Sequence, residues 1–106
     1  MACISVCIAA YNADAYINEC LLSIARQTLQ PYEVVIVDDG SKIPLEISTE
    51  IRGLFQTQCI RLIRTKNCGP YAARRFAIEY ATGDIVVCVD SDDELAESRS
   101  LEKMMQ

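Results

Sequence analysis

Residues 33–41 read EVVIVDDGS, and this stretch decides the fold of the chain. From Glu33 to Val37 the run is almost wholly β-branched and apolar, a pattern typical of a parallel strand covered on both faces by helices. The run stops at Asp38-Asp39, and Gly40 permits a tight turn out of the strand. The stretch therefore predicts a buried strand whose carboxyl end carries two carboxylates.

Three further segments show the same short apolar character, and helical periodicity lies between them. We predict strands over Cys3–Ala9, Ile60–Ile63 and Ile85–Val89. The segment from Ile17 to Thr28 repeats apolar residues at three- and four-residue steps, which predicts a helix that Asn12 or Asp14 could cap. Strands that alternate with helices imply an α/β fold with a Rossmann-like, mostly parallel sheet and helices on both faces.

Two later helices are predicted with different clarity. The helix after Pro70 is well marked, with Gly83 as its expected stop. Its predicted buried face consists of Ala73, Phe76, Ala77 and Tyr80. Residues 45–56 form a weaker helical stretch, which Gly53 interrupts. Its predicted buried face consists of Leu45, Ile51, Leu54 and Phe55. A last helix is predicted to start near Leu95.

Composition limits the functions that the chain can have. The 106 residues suffice for one domain, residues 1–106. The net charge is −5 and no basic run occurs, so nucleic acid is not an expected partner. No leader or membrane segment is apparent, and we expect a cytoplasmic protein, at most associated with the inner face of a membrane. The six cysteines contain no C-x-x-C pair, and most are expected to be small buried hydrophobes in a reducing compartment.

The second acidic cluster, Asp90-Ser91-Asp92-Asp93, follows the strand predicted at 85–89. Crowded carboxylates repel one another unless a cation neutralises them, and hard divalent ions prefer oxygen ligands. One such cluster alone is more often a solvated acidic turn, and Arg74 and Arg75 alone could be an exposed helix surface. Ligands of parallel sheets bind beyond the carboxyl ends of the strands, where both acidic clusters are predicted to lie. Their joint placement predicts a site for a metal-bound, phosphate-bearing ligand.

The order of these motifs resembles that of family 2 glycosyltransferases with the GT-A fold. The resemblance covers Ile4 to Glu94. It is carried by IAAYN at 8–12, SI at 23–24 with QT at 27–28, VIVDDGS at 35–41, Asn67 with Gly69 and Ala73-Arg74, ATGD at 81–84, and DSDD at 90–93. Several positions depart from the family pattern. They are Ala9 in place of Pro, Arg75 in place of Asn, and Lys42-Ile43-Pro44 in place of polar residues.

The resemblance implies a site residue by residue. Ala10 and Tyr11 would lie against the nucleotide base, Asp39 would hydrogen-bond that base, and Asn67 and Arg74 would lie near the nucleotide. Asp90 would face the ribose or sugar. Asp92 would hold Mg²⁺ or Mn²⁺, with Asp93 close behind.

The resemblance also implies a reaction. A sugar would pass with inversion from a nucleoside diphosphate sugar, with UDP the expected carrier, to a hydroxyl of a saccharide or lipid-linked acceptor. The family's catalytic base lies downstream of the motifs found here. We therefore expect a truncated GT-A domain that binds donor weakly and transfers nothing, and whose uncovered apolar surface favours self-association.

Three other readings of the sequence compete with this one. The chain could be a non-catalytic nucleotide- or metal-binding module. A phosphatase of the haloacid dehalogenase type also has an Asp-x-Asp after a strand, but normally after the first strand. A dinucleotide-binding domain is disfavoured because no G-x-G-x-x-G follows the first strand.

Overall fold

The computed structural model describes residues 3–57, 59–92, 94–95 and 97–105. Four strands and four helices follow one another along the chain. The strands are β1 (Ile4–Ala10), β2 (Glu33–Asp39), β3 (Ile60–Thr65) and β4 (Ile85–Asp90). The helices are α1 (Ile17–Ala25), α2 (Thr49–Gly53), α3 (Pro70–Tyr80) and α4 (Ser100–Met104).

The sheet is parallel in all three of its pairings, and its order is β3-β2-β1-β4. The chain thus builds from β1 outward through β2 to β3, and then crosses to place β4 on the other side of β1. This reversal of direction at β1 creates the crevice in which ligands of open α/β sheets bind. The predicted α/β class and parallel sheet are confirmed.

Helices cover both faces of the sheet. One face packs with the apolar side of α1, and Leu101 of α4 joins the same core. On the opposite face, Ala73 and Ala77 of α3 pack against Cys7, Val35 and Val37. No helix in the described part of the chain is long and apolar enough to span a membrane.

The helices differ from the sequence predictions at several points. α1 begins at Ile17 without a side-chain cap; the Asn12 side chain instead accepts the N–H of Lys42, and its backbone N–H donates to Ser41 Oγ. The stretch 45–56 contributes only the short α2, where Ser48 caps the helix by accepting the N–H of Ile51. Of the four residues predicted to form its buried face, Leu45 and Phe55 are buried, Ile51 is half-buried and Leu54 is exposed. Gly53 ends this helix after five residues.

Two of the four residues predicted to form the buried face of α3 are not buried. Ala73 and Ala77 are buried, but Phe76 and Tyr80 are largely exposed. Two alanines allow the helix to approach the sheet closely, and the larger rings then lie outside the contact. Gly83 does not stop the helix, which ends at Tyr80. A Cβ at Gly83 would lie 2.5 Å from Ser5 Oγ, so this glycine permits close packing against β1.

The prediction that most cysteines are buried is also wrong. No disulfide joins the six cysteines, all of which the structure describes, and Cys59, Cys68 and Cys88 are exposed. Cys88 is exposed because β4 is less covered than predicted. Among the described strands β4 pairs only with β1, and its Val86 and Cys88 are accessible. This partly uncovered strand is where we expect self-association.

Candidate functional site

Two neighbouring aspartates at the end of β2 have opposite surroundings. Successive residues of a strand face opposite sides of a sheet, so Asp38 and Asp39 cannot share one environment. Both are almost fully buried, at 1% and 3% exposure. Their partners show which one is available to a ligand.

Asp38 is bonded to its own turn. Its carboxylate accepts the N–H and hydroxyl of Ser41, the N–H of Leu45 at 2.9 Å, and Nη1 of Arg64 at 2.9 Å. Burial would raise the pKa of this carboxyl, but these donors outweigh it and lower the pKa below its ordinary value. Four donors match the lone-pair positions of a carboxylate. Asp38 therefore holds the 38–45 turn and has no capacity left for a ligand.

Asp39 instead faces the loop that precedes α3. Its Oδ1 accepts the N–H of Cys68 at 2.8 Å and its thiol at 3.3 Å, and its Oδ2 accepts the N–H of Gly69 at 3.1 Å. Within the described part of the chain, Oδ2 has this single donor, which leaves a lone pair for a ligand. Asn67 adds a bond from its side-chain amide to the carbonyl of Asp39.

Gly40 allows this loop to approach β2. Its φ is +67°, and a Cβ at this position would lie 2.6 Å from the backbone nitrogen of Asn67. A side chain would therefore be strained by its backbone conformation and would also collide with the loop.

A cleft of about 340 Å³ opens between the ends of β1 and β2 and the start of α3. Its lining consists of Ala9, Ala10, Tyr11, Asp39, Asn67, Gly69, Pro70 and Ala73. The structure thus brings together Ala10, Tyr11, Asp39 and Asn67, four of the residues expected to contact the nucleotide. The small side chains leave room beside the buried carboxylate, and the exposed ring of Tyr11 stands at the border.

Asp90, the last residue of β4, and Arg74 of α3 lie beside this cleft. Asp90 pairs with Ala9 of the neighbouring strand β1, and Arg74 Nη2 contacts Asp90 Oδ1 at 3.1 Å. The Asp90 side chain is 60% exposed, so this ion pair is open to solvent. Both residues line a second depression of about 550 Å³ that follows β4 to Glu94 and Leu95. Asp90, predicted to face the ribose or sugar, and Arg74, predicted to lie near the nucleotide, therefore line a different depression from the other four predicted nucleotide residues.

Of the two expected metal ligands, Asp92 and Asp93, the structure describes only Asp92. Asp92 lies exposed in the turn after β4, and Asp93 falls outside the described residues. Within the described ranges, no group of three or more His, Cys, Asp or Glu is placed to hold a metal ion. Magnesium and manganese need only one or two carboxylates when phosphates and water supply the other ligands. The oxygen donors present therefore fit a cation that arrives with a diphosphate.

Some structural contributors to this sheet edge were not identified from the sequence. Arg64 holds the turn through Asp38 and the carbonyl of Ser41 at 2.8 Å. Cys68 and Gly69 supply the amides that fix the Asp39 carboxylate; Gly69 was part of a predicted motif, but this role of its amide was not predicted. The turn-forming composition of residues 66–70 marked a loop, but no local signal showed where its amides would point.

Glu33 forms a second buried network at the opposite end of β2. Burial would raise its pKa, but bonds from Ser5, Thr82 and Arg61 outweigh this and lower the pKa to about 2. The Arg61 contact is 2.7 Å long and the glutamate is fully buried. This network joins β1, β2, β3 and the segment before β4, so Glu33 is a structural residue.

Known proteins are similar to this chain in sequence and in fold. The model of the family described as glycosyl transferase family 2 matches residues 5–106. An uncharacterized glycosyltransferase of Haemophilus influenzae is 37% identical over 99% of this chain and 42% of its own length. The poly(ribitol-phosphate) beta-glucosyltransferase of Bacillus spizizenii is 38% identical over 85% of this chain and 15% of its own length.

Solved structures agree with these relatives. TarS 1-349 of S. aureus in complex with UDP-GlcNAc matches with a TM-score of 0.83 and 33% identity, over 97% of this chain and 30% of that one. The mannosyltransferase PcManGT of Pyrobaculum calidifontis, in complex with GDP-Man and Mn²⁺, matches with a TM-score of 0.69 and 26% identity, over 90% of this chain and 29% of that one. The chain spans less than half the length of these relatives. With the family model matched along almost all of its length, the chain belongs to glycosyl transferase family 2.

Proposed function

We propose that this chain forms the donor site of a glycosyltransferase and binds a uridine diphosphate sugar in the cleft beside Asp39. The observation that carries the proposal is the Asp39 carboxylate, whose Oδ2 keeps a lone pair beside its single donor and which is almost fully buried at the border of a cleft with small apolar side chains. The geometry supports a flat base against Ala10 and Tyr11, with its polar edge toward Asp39.

Asp39 supports a choice among bases. An ionised carboxylate only accepts hydrogen bonds, so its partner must be an N–H, which uracil and guanine offer on the ring and cytosine and adenine offer only on the exocyclic amine. Cytosine and adenine present an acceptor at the equivalent ring atom and would leave the buried carboxylate facing a lone pair. TarS, solved with UDP and with UDP-GlcNAc, is more similar to this chain than the mannosyltransferase solved with GDP-Man. Together these observations favour uracil.

The remaining residues fit the other parts of the donor. Arg74 would lie along the diphosphate and Asn67 near the nucleoside, while Asp90 would face the ribose or sugar. Asp92, followed by Asp93, would hold Mg²⁺ or Mn²⁺. When bound, such an ion stabilises the negative charge of the departing diphosphate as a Lewis acid. The acidic chain would otherwise repel the phosphates, and Arg74 alone offsets little of that charge.

The proposed reaction is attack of an acceptor hydroxyl on the anomeric carbon. A new C–O bond forms with inversion as the bond to the diphosphate breaks, and the hydroxyl proton passes to a base. We assign no residue of this chain to that base. Asp39 and Arg74 then act through binding and orientation of the donor, which aligns the scissile bond before the attack.

Calorimetric titration of the chain with UDP, with and without Mn²⁺, tests the proposal. Asp92→Asn should abolish the gain in affinity that Mn²⁺ provides, because one metal ligand is lost. Asp39→Asn should weaken UDP binding about tenfold or more, with or without metal, because it removes a charged hydrogen-bond acceptor. It should also reduce the preference for UDP over CDP, because an amide can donate to cytosine.

Asp14→Asn is the matched control. Asp14 is exposed and lies outside the cleft, so this variant should bind like the wild type. Binding of UDP that responds neither to Mn²⁺ nor to Asp92→Asn would contradict the metal assignment. Equal affinity of wild type and Asp39→Asn for UDP would contradict the base assignment.

A further inference from the structure

A row of polar side chains on α1 and the residues just after it faces the segment that carries the acidic motif. Cys20, Ser23 and Gln27 are spaced by three and four residues, so they lie on one side of the helix. Cys20 and Gln27 are buried and Ser23 is half-buried. Their side chains contact residues that are 70 or more positions later in the chain.

The contacts fall on both sides of Asp92. Before it, the thiol of Cys20 donates to the carbonyl of Asp90 at 3.6 Å. After it, the hydroxyl of Ser23 accepts the N–H of Leu95 at 3.0 Å and donates to the carbonyl of Cys20 at 2.7 Å. One helix therefore holds the backbone at both ends of the exposed turn at Ser91-Asp92.

Gln27 bonds residues after Asp92 through both ends of its side-chain amide. Its Nε2 donates to the carbonyl of Glu97 at 2.8 Å and to that of Ser23 at 3.0 Å, and its Oε1 accepts the N–H of Leu101 at 2.9 Å. The N–H of the next residue, Thr28, donates to the carbonyl of Ser98 at 2.7 Å. Gln27 is 4% exposed, and its removal would leave the N–H of the fully buried Leu101 without its side-chain acceptor.

We propose that Gln27, with Ser23, is a positioning residue of the donor site, which sets the affinity for the divalent cation by holding the turn that carries Asp92. The proposal rests on the proposed function, in which Asp92 is a metal ligand. Neither side chain lines the cleft beside Asp39. Their effect should therefore separate from nucleotide binding itself. Groups that orient a metal ligand without touching the metal typically contribute about tenfold or more to metal affinity.

Three measurements on the full chain test this inference. Gln27→Met keeps the length of the side chain and removes both of its hydrogen-bonding ends, while Ser23→Ala removes the acceptor of Leu95. UDP affinity is measured in a chelator, and Mn²⁺ affinity is measured by electron paramagnetic resonance at saturating UDP. Amide hydrogen exchange reports the protection of Leu95 and Leu101. Gln56→Met, at an exposed position, is the matched control.

Gln27→Met should expose the Leu101 amide to exchange, and Ser23→Ala the Leu95 amide, while the β2 amides stay protected. Both variants should bind UDP in chelator like the wild type and bind Mn²⁺ about tenfold more weakly. Unchanged Mn²⁺ affinity despite lost protection overturns the inference, as does an equal loss of UDP affinity in chelator. If Gln27→Met does not fold, Ser23→Ala decides by the same criteria. A wild-type chain that binds no Mn²⁺ with UDP overturns the proposed function as well, so the two failures are distinguishable.

Discussion

Asp38 and Asp39 are neighbours in the chain, but they differ in how many hydrogen-bond donors surround their carboxylates. The strand turns them to opposite sides, so Asp38 meets three donors of its own turn and a fourth from Arg64, while Asp39 meets the loop before α3. Only the second has capacity left for a ligand. The role of a carboxylate at this site thus depends on how many donors already surround it.

Gly40→Ala should damage both stability and donor binding. The added Cβ would be 2.6 Å from a backbone nitrogen at a φ of +67°, so the loop before α3 must move. We expect a loss of about 2 kcal/mol or more in the free energy of unfolding, measured by urea denaturation. UDP affinity should fall with it, because the moved loop carries the amides that fix Asp39.

Gly53→Ala provides the control for that substitution. Its Cβ would have open space around it, and alanine favours the helix more than glycine. This variant should be stabilised by about 0.5–1 kcal/mol and bind UDP normally. Equal changes in the free energy of unfolding and in UDP affinity for the two variants would contradict a role for the close approach of the loop to Gly40.

At the scale of elements, α3 is defined by how closely it packs on the sheet. Its contact surface consists of Ala73 and Ala77, while Phe76 and Tyr80 lie largely outside. This close packing brings the beginning of α3 next to β1 and β2, where Gly69, Pro70 and Ala73 complete the cleft. The position of the helix therefore contributes directly to the site.

Ala77→Leu should destabilise the protein by overpacking this contact. The side chain is fully buried against the sheet, so three added carbons must displace α3, at a cost of about 1–3 kcal/mol in the free energy of unfolding. Tyr71→Ala on the same helix removes a ring that is 84% exposed and should change stability by less than about 0.5 kcal/mol. Thermal unfolding of both variants checks this. A neutral Ala77→Leu would contradict the close contact.

For the whole molecule, the Glu33 network links three strands with the segment before β4 and makes stability depend on pH. Folding lowers the Glu33 pKa from 4.5 to about 2, so the folded state favours the ionised form. The corresponding stability is present above about pH 4.5 and is lost as the pH falls toward about 2. The lowered pKa of Asp38 acts in the same direction. The shift at Glu33 corresponds to about 3 kcal/mol.

Glu33→Gln should lower the free energy of unfolding at neutral pH by about 3 kcal/mol, because Arg61 loses its buried partner. It should also flatten the loss of stability below about pH 4.5, because the group that takes up the proton is gone. Urea denaturation at neutral and at acidic pH measures both effects. Glu79→Gln, at an exposed position of α3, should keep the wild-type profile. An unchanged acid profile in Glu33→Gln would contradict the role of this carboxyl.

The sequence alone determined the class of fold and the edge of the sheet at which the candidate site lies. Apolar β-branched runs and three- to four-residue periodicity are local properties, and they placed the strands with small differences at their ends. Acidic residues after two of these runs, with Gly69 and Arg74 near a third element, predicted a site for a metal-bound, phosphate-bearing ligand, and the resemblance to family 2 glycosyltransferases made that ligand a nucleotide sugar.

Only the tertiary structure decided which of these residues share a space. The order β3-β2-β1-β4 placed Asp39 in the cleft and Asp90 beside it, and close packing left Phe76 exposed. The row of side chains on and just after α1 bonds Asp90, Leu95, Glu97 and Leu101. Such contacts join positions far apart in the chain. They depend on how the faces of helices and the sheet pack together and on which hydrogen-bond donors already have partners. The local pattern of residues determines neither of these.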